Sequence, residues 1–290
     1  MELTNAVTLV NGDVFDPEVV TDMINAKVEK KAVMTGYIKV DNTLEGVAGT
    51  QVTIPKWGYI GEADDYEEGQ PIDTSKMAFT TEQYGIKKIG KGVMLTDEAQ
   101  LSGYGNPMGT ATNQIAMAIS EKLDNDRVEV LYGAPTVYTE GAGETLSYKT
   151  IVNALDLFNE EEESRKVILI HSKQKTHLRL DPDFIAADKI GAELLTTGAI
   201  GRIAGVEVVV SNKVHFDGTK YINPIIKLNN DAETEDDMPA ITYFLKRGNL
   251  VEHDREVGVG DKIICTAYGM AALTNDSKVV LVHANGTPTV

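Results

Sequence analysis

The sequence predicts an α+β chain with a long extended arm, and three observations predict it. Helix-spaced apolar residues follow Asp16-Pro17-Glu18 and again follow Pro107. Between those two helices, from Val52 to Leu95, alternating residues rich in strand formers describe an extended segment. From Gly133 onward, short helical runs alternate with apolar strand runs, and the C-terminal part is all strand.

The elements follow in order. Asp16 reads as a helix cap, Pro17 as a first-turn proline and Glu18 as a first-turn acid. Val19, Val20, Met23, Ile24 and Val28 then give a short amphipathic helix ending near Lys31, read as an N-terminal arm that packs on something else. Asn42–Gly49 is turn-like. Gln51–Tyr59 alternates as a strand, and Pro55 favours an edge position. Gly61–Gly69 is an acidic tip, and Met77–Leu95 runs extended again. Thr96 caps a short helical turn, which Gly103–Pro107 interrupts, and a longer helix runs from about Pro107 to Leu131. Ile115, Ala118, Ile119, Leu123 and Val130 form one stripe of it, with Glu121, Asp124 and Asp126 on another face.

The compact part reads as a helix over Leu146–Asn159, the acid run Glu160–Glu163 and a buried strand over Lys166–His171. A helix over Ser172–Leu180 and another from Asp181 to about Ile190 follow. Gly201–Ser211 reads as a glycine-broken strand, Tyr221–Lys227 as extended and Asn229–Asp237 as an acidic loop. Ala240–Lys246, Leu250–Arg255, Lys262–Tyr268 and Lys278–His283 read as four strands.

The arm is the unusual feature. At ~3.3 Å per residue, Met77–Leu95 would span roughly 60 Å, against a radius of gyration of ~13 Å for a compact 100-residue domain. A lone two-stranded hairpin is marginal in water and its open edges invite pairing. An arm of this reach therefore predicts cover by a neighbouring copy of the chain.

Composition sets the outer bounds. The 290 residues suffice for one large domain or two ordinary ones, and 42% hydrophobic content fits a globular protein. The formal net charge of -17, from 44 acids against 27 Lys and Arg, argues against nucleic-acid wrapping as the main task and keeps a concentrated protein soluble. Cys265, the one cysteine, rules out an intrachain disulfide and a cysteine-based zinc site. Met1–Asn5 lacks a signal-peptide pattern, and no run approaches the ~18 apolar residues of a membrane helix, so a soluble intracellular protein without a membrane partner is expected.

The search for chemistry yields near-misses. Gly85-Ile-Lys-Lys-Ile-Gly-Lys-Gly92 fits part of a phosphate-binding loop, but Gly92 stands where the magnesium-ligating hydroxyl belongs and extended residues follow. A basic strand with glycines is the better reading. Gly198–Gly205 has spaced glycines without the dinucleotide fingerprint. His171, His177, His215, His253 and His283 form no metal-ligand pair, and His171 with Ser172 is a poor nucleophile–base arrangement because neighbours on a strand point apart. The acids at Asp64-Asp65, Glu160–Glu163 and Glu235–Asp237 lack calcium-loop spacing and read as solvated loops. No cofactor, metal site or catalytic set emerges. The candidates left are inter-subunit contacts: Trp57, the acidic tip residues Glu62, Asp64, Asp65, Glu67 and Glu68, and the basic Lys87, Lys88 and Lys91.

Several strings sharpen this reading. Asp41-Asn-Thr-Leu-Glu-Gly-Val-Ala-Gly-Thr50, Val52-Thr-Ile-Pro-Lys-Trp57, Ile86-Lys-Lys-Ile-Gly-Lys-Gly-Val93, Leu95-Thr-Asp-Glu-Ala99, Phe244-Leu-Lys-Arg247 and Val251-Glu-His-Asp-Arg-Glu256 occur in an order and spacing that resembles tailed-phage and prophage major capsid proteins of the Hong Kong 97-type fold. The resemblance covers nearly the whole chain. It implies an N-terminal arm over 1–45, an extended loop over 46–95, and a peripheral domain with a spine helix over 96–135. An axial domain would cover 136–238, with returning strands and a tail over 239–290. It implies a structural virion protein, made in the host cytoplasm, whose hexamers and pentamers close an icosahedral shell around double-stranded DNA. It also implies a separate scaffolding protein, or an already processed chain, and a portal. Two rival readings stay open: an encapsulin-like compartment shell, and an α/β enzyme built on 136–238.

Overall fold

A computed structural model describes residues 17–57, 65–66, 69, 72, 74, 76, 79–102, 107–141, 144–160, 164–181, 201–228 and 238–286. The capping Asp16, the acids Glu62, Asp64, Glu67 and Glu68, the helix expected beyond Asp181 and the loop 229–237 lie outside them.

Helix α1 (Pro17–Lys31) places its proline at the first helical position, where a missing N–H costs nothing. A tight turn at Met34–Tyr37 leads into β1 (Lys39–Asp41). Strands β2 (Gln51–Trp57) and β3 (Phe79–Gly85) form a hairpin, and β4 (Lys87–Thr96) follows after Ile86. Helix α2 (Asp97–Ser102) precedes α3 (Pro107–Leu131), whose 25 residues make roughly 37 Å of spine. Strand β5 (Val137–Thr139) leads to α4 (Tyr148–Leu155). A reciprocal cap between Ser147 and Thr150 opens α4, and Asp181 Oδ2 accepts from the Tyr148 N–H at 2.6 Å. Strand β6 (Lys166–Ile170) is buried throughout, and α5 (Gln174–Leu180) follows it. The glycine-broken strand is a tight hairpin, β7 (Arg202–Ile203) and β8 (Val206–Val210). The chain ends through β9 (His215–Phe216), β10 (Lys220–Lys227), β11 (Ile241–Glu256), β12 (Gly260–Leu273) and β13 (Val279–Asn285).

Two sheets organise the body. The first has the order β1-β11-β12-β4, and the second β5-β13-β10-β6-β8-β7 with β9 beside β10. Ile151, Ile168, Ile170, Leu178 and Val282 pack between the second sheet and α4 and α5. Leu169, Ile226, Val279 and Leu281 on its other face meet Val128 and Leu131 of α3. Ile24, Ile89, Ile115, Ile119, Ile263 and Cys265 form a third cluster beneath the first sheet. Helix α3 therefore contributes to two cores, which fixes one sheet against the other.

Four sequence readings are corrected. Helix α1 packs on its own chain, because burying Ile24 and Val28 against α3 and β11 completes the third cluster. The return strand of the arm also folds against its own chain: β4 pairs with β12 over ten positions, from Lys87↔Gly269 to Thr96↔Gly260, so the free hairpin shrinks to a seven-pair ladder of roughly 20 Å. The strands expected at Ala240–Lys246 and Leu250–Arg255 are one strand, β11, with irregular register around Arg247. Asp124 and Asp126 are buried: Asp124 accepts from the Val33 and Met34 N–H groups at 2.8 and 3.3 Å, and Asp126 pairs with Lys122 at 2.6 Å.

Candidate functional site

The glycine–lysine run Gly85–Gly92 lies in extended backbone at the end of β3 and along β4. Its glycines have a packing reason. A Cβ at Gly90 would come 3.2 Å from Thr266 Cγ2, and one at Gly92 would come 3.1 Å from Ile264 Cγ1. Side chains at these positions would crowd β12, which is tighter than ordinary van der Waals contact allows. Glycine keeps that face of the first sheet flat.

Lys87, Lys88 and Lys91 are exposed along β4, Lys88 on one face of the strand and Lys87 and Lys91 on the other. Register then adds two residues that sequence reasoning missed. Tyr268 of β12 lies opposite Lys88 on one side and Arg247 of β11 on the other. Lys88 Nζ is 5.7 Å from the Tyr268 ring centre, and the Arg247 guanidinium is 4.7 Å from it. Each cation over the ring contributes ~0.5–1 kcal/mol at an exposed site. Arg247 also donates to Thr266 Oγ1 at 2.6 Å. The result is a basic, flat surface of Lys88, Tyr268 and Arg247, extended by the half-exposed Met94 and Leu250. Only ladder register brings residues 88, 247 and 268 together, so no local signal marked them.

The hairpin of β2 and β3 is rooted on the body. Ile54 is buried, Lys246 Nζ donates to the Gly49 carbonyl, and the Ile86 N–H donates to the Thr50 carbonyl at 2.9 Å. Two open grooves flank it. One of about 360 Å³ runs between Val52–Pro55 and Lys39, Thr242 and Phe244, and one of about 340 Å³ separates Glu82–Tyr84 from Glu129 and Val130. Trp57 pairs in backbone register with Phe79 at the outer end of the ladder, and Asp65 beyond it is exposed. Among the described residues, β2 and β3 pair with each other and with no other strand.

At the far end of the first sheet, Arg255 bridges Asp97 and Asp261, and His253 Nε2 lies 3.1 Å from Asp261 Oδ1. Arg255 is held above its usual pKa, first by the hydrogen bond to Asp261 and then by the charge of Asp97. A Cβ at Gly260 would fall 2.1 Å from the Leu95 carbonyl oxygen, so glycine is required where this hairpin crosses β4.

The candidates for chemistry have structural roles. The His171 N–H donates to Gln174 Oε1 at 3.0 Å, its Nδ1 accepts from the Lys173 N–H, and its ring stacks on Tyr221 at 4.9 Å. Burial pushes the Cys265 thiol up to about 11, which keeps it protonated and unreactive. Among the described residues, no group of three or more His, Cys, Asp or Glu is placed to hold a metal, and no helix is long and apolar enough to cross a membrane.

Comparison with known proteins agrees with this geometry. The family profile described as phage capsid protein matches residues 80–280, from the return limb of the arm to β13. The major capsid protein of Staphylococcus phage phiMR11 is 34% identical over 200 residues, covering 68% of this chain and 72% of that protein. Among solved structures, the capsid of cyanophage Pam1 superimposes with a TM-score of 0.71 at 11% identity, covering 90% of this chain and 93% of that one. An encapsulin from Synechococcus elongatus gives 0.57 at 11% identity over 88% and 87% of the two chains, which extends the fold likeness without favouring the encapsulin reading. The profile spans most of both sheets and the spine helix, and the Staphylococcus phage protein is identical at about a third of the 200 aligned positions, so this chain belongs to the phage capsid protein family, with the Hong Kong 97-type fold of phage major capsid proteins.

Proposed function

We propose that copies of this chain associate through the β2–β3 hairpin into hexamers and pentamers that close an icosahedral shell around double-stranded DNA. The observation that carries this reading is the hairpin itself: a two-stranded ladder with open edges, in a chain of a capsid family. Two strands alone are marginal in water, so a neighbouring copy supplies the missing cover. The acidic tip, with Glu62, Asp64, Asp65, Glu67 and Glu68, would meet basic residues on the adjacent copy. Lys88 beside Tyr268 and Arg247 is the complementary surface, with Lys87 and Lys91 on the other face of β4, and Trp57 sits at the outer end of the ladder. The net charge of -17 suits a container that holds DNA without sequence-specific binding. Assembly in the host cytoplasm with a separate scaffolding protein and a portal completes the reading, and the subunit carries no catalytic role.

Electron microscopy of the purified chain, with and without a scaffolding protein, is expected to show capsomers or closed shells. A strictly monomeric protein at high concentration under both conditions would sink the proposal. Shells packed with a folded protein cargo in place of nucleic acid would favour the encapsulin-like reading.

A further inference from the structure

Helix α5 is started by a histidine. The His171 N–H donates to Gln174 Oε1 at 3.0 Å, the Gln174 N–H donates back to the His171 carbonyl at 2.9 Å, and the Lys173 N–H donates to His171 Nδ1 at 3.2 Å. A side chain that accepts from the N–H two residues on is the turn usually built by Asn or Asp. Here an imidazole nitrogen supplies the lone pair. The turn it closes matters to the core, because Gln174 and Leu178 of α5 are fully buried and Leu178 belongs to the cluster of Ile168, Ile170 and Val282.

Three features make this acceptor sensitive to protons. The bond needs the lone pair on Nδ1, and a proton there sets one N–H against another. The ring is also held in place: it stacks on Tyr221 of β10 at 4.9 Å and 21°, and Tyr221 packs on Phe216 at 4.6 Å. Turning the ring to present its other nitrogen would give up that stack. Finally, the charge acting on the ring is the ammonium of Lys173. Burial first, and Lys173 second, hold the His171 pKa below its ordinary value. Past Tyr221, the same end of the second sheet carries His215 and Asp217 ahead of β10, Lys220 at its start, and His283 of β13 opposite Ile222. His283 is lowered as well, by burial and then by Lys220, with Asp217 opposing.

We propose that His171 is a proton-operated catch: uncharged, it holds the first turn of α5 on the second sheet, and one proton on Nδ1 releases that turn. The ordinary histidine value is 6.5 and the folded value lies below it. The contribution of the catch to stability is therefore complete above pH 6.5 and is lost as pH falls through the folded value. Acid loosens the helix-covered face of the second sheet first, while the ladder of β11 and β12 in the first sheet stays closed.

Hydrogen exchange of the full-length chain at pH 7.5 and pH 5, corrected for intrinsic exchange rates, tests this. In the wild type, protection of residues 172–180 is expected to fall at least tenfold at pH 5, with β11 and β12 unchanged. In His171→Asn, whose side chain accepts the same N–H without titrating, protection should be equal at both pH values. Undiminished protection in the wild type at pH 5 overturns the proposal. So does an equal loss in His171→Asn, which would place the sensitive group elsewhere, at His283 or beyond. A simultaneous loss across β11 and β12 overturns it too, since the chain would then be unfolding as a whole. If His171→Asn fails to fold, magnetic resonance of the histidine-labelled wild type keeps the test open. One imidazole should titrate below pH 6.5 with the same midpoint as the opening of α5, and an opening that matches no histidine midpoint sinks the catch.

Discussion

Glu160 shows how a residue that reads as solvated becomes an anchor. Its Oε2 accepts from Lys166 Nζ at 2.5 Å and Ser164 Oγ at 2.8 Å, and Lys227 Nζ lies 2.7 Å from Oε1. Burial alone would raise the carboxyl. The bonds from Lys166, Lys227 and Ser164 outweigh it and hold the pKa at about 2, below the ordinary 4.5. A folded-state value below the unfolded one means that the contribution to stability is fully present above pH 4.5 and is lost as pH falls toward 2. Glu160→Gln is expected to lower the melting temperature at pH 7, with the gap to wild type narrowing as pH falls through that window. A gap of constant size across pH would show that the charge is not the cause. Asp124 is anchored by its partners in the same way. It anchors the turn after α1 through two backbone N–H groups and lies 3.7 Å from the buried Arg127, whose guanidinium also packs on Tyr243 at 4.9 Å. In sequence, both acids look like any surface acid. The Val33 and Met34 donors to Asp124 and the Lys227 partner of Glu160 lie on elements far along the chain, so the nearby residues alone do not distinguish these acids.

Among the elements, the arm divides into two parts with different physics. The limb over β4 belongs to the body, because its backbone groups pair with β12. Among the described residues, β2 and β3 pair in strand register with each other alone, and Ile54, Gly49 and Ile86 mark the root of the hairpin. Those root contacts do not involve the tip. Deletion of Gly61–Lys76 is therefore expected to leave a soluble subunit with unchanged circular dichroism and a similar melting temperature, yet one that cannot assemble. Normal shells from the deleted chain would refute an assembly role for the tip. The spine helix was legible end to end, Pro107 to Leu131, because a first-turn proline and a long apolar stripe mark it. The same stripe did not reveal that α3 serves two cores at once.

For the whole molecule, charge sets the conditions of association. A net charge of -17 makes copies repel at long range, while an acidic tip meeting a basic strip attracts at contact. Single exposed pairs contribute only about 0–1 kcal/mol, but a closed assembly repeats each of them many times. Screening shortens from ~10 Å at 0.1 M salt to ~3 Å at 1 M. Assembly followed by light scattering is expected to weaken across that range, and a variant with Lys87, Lys88 and Lys91 all changed to Gln should show a shallower dependence. Identical salt slopes for the two proteins would count against the lysines of β4 as the receiving residues.

By itself, the sequence determined the class of the elements, their order and the membership of a shell-forming family. Proline positions, apolar periodicity and turn residues act locally, and the matched strings keep their spacing along the chain. Only the tertiary structure decided which strand β4 joins, that Arg247 and Lys88 flank Tyr268, that Asp124 is buried, and that Asp124 and Glu160 are paired. The physical reason is that backbone hydrogen-bonding groups are the same at every residue, so a strand does not name its partner. Pairing and burial are settled when distant apolar faces close on one another.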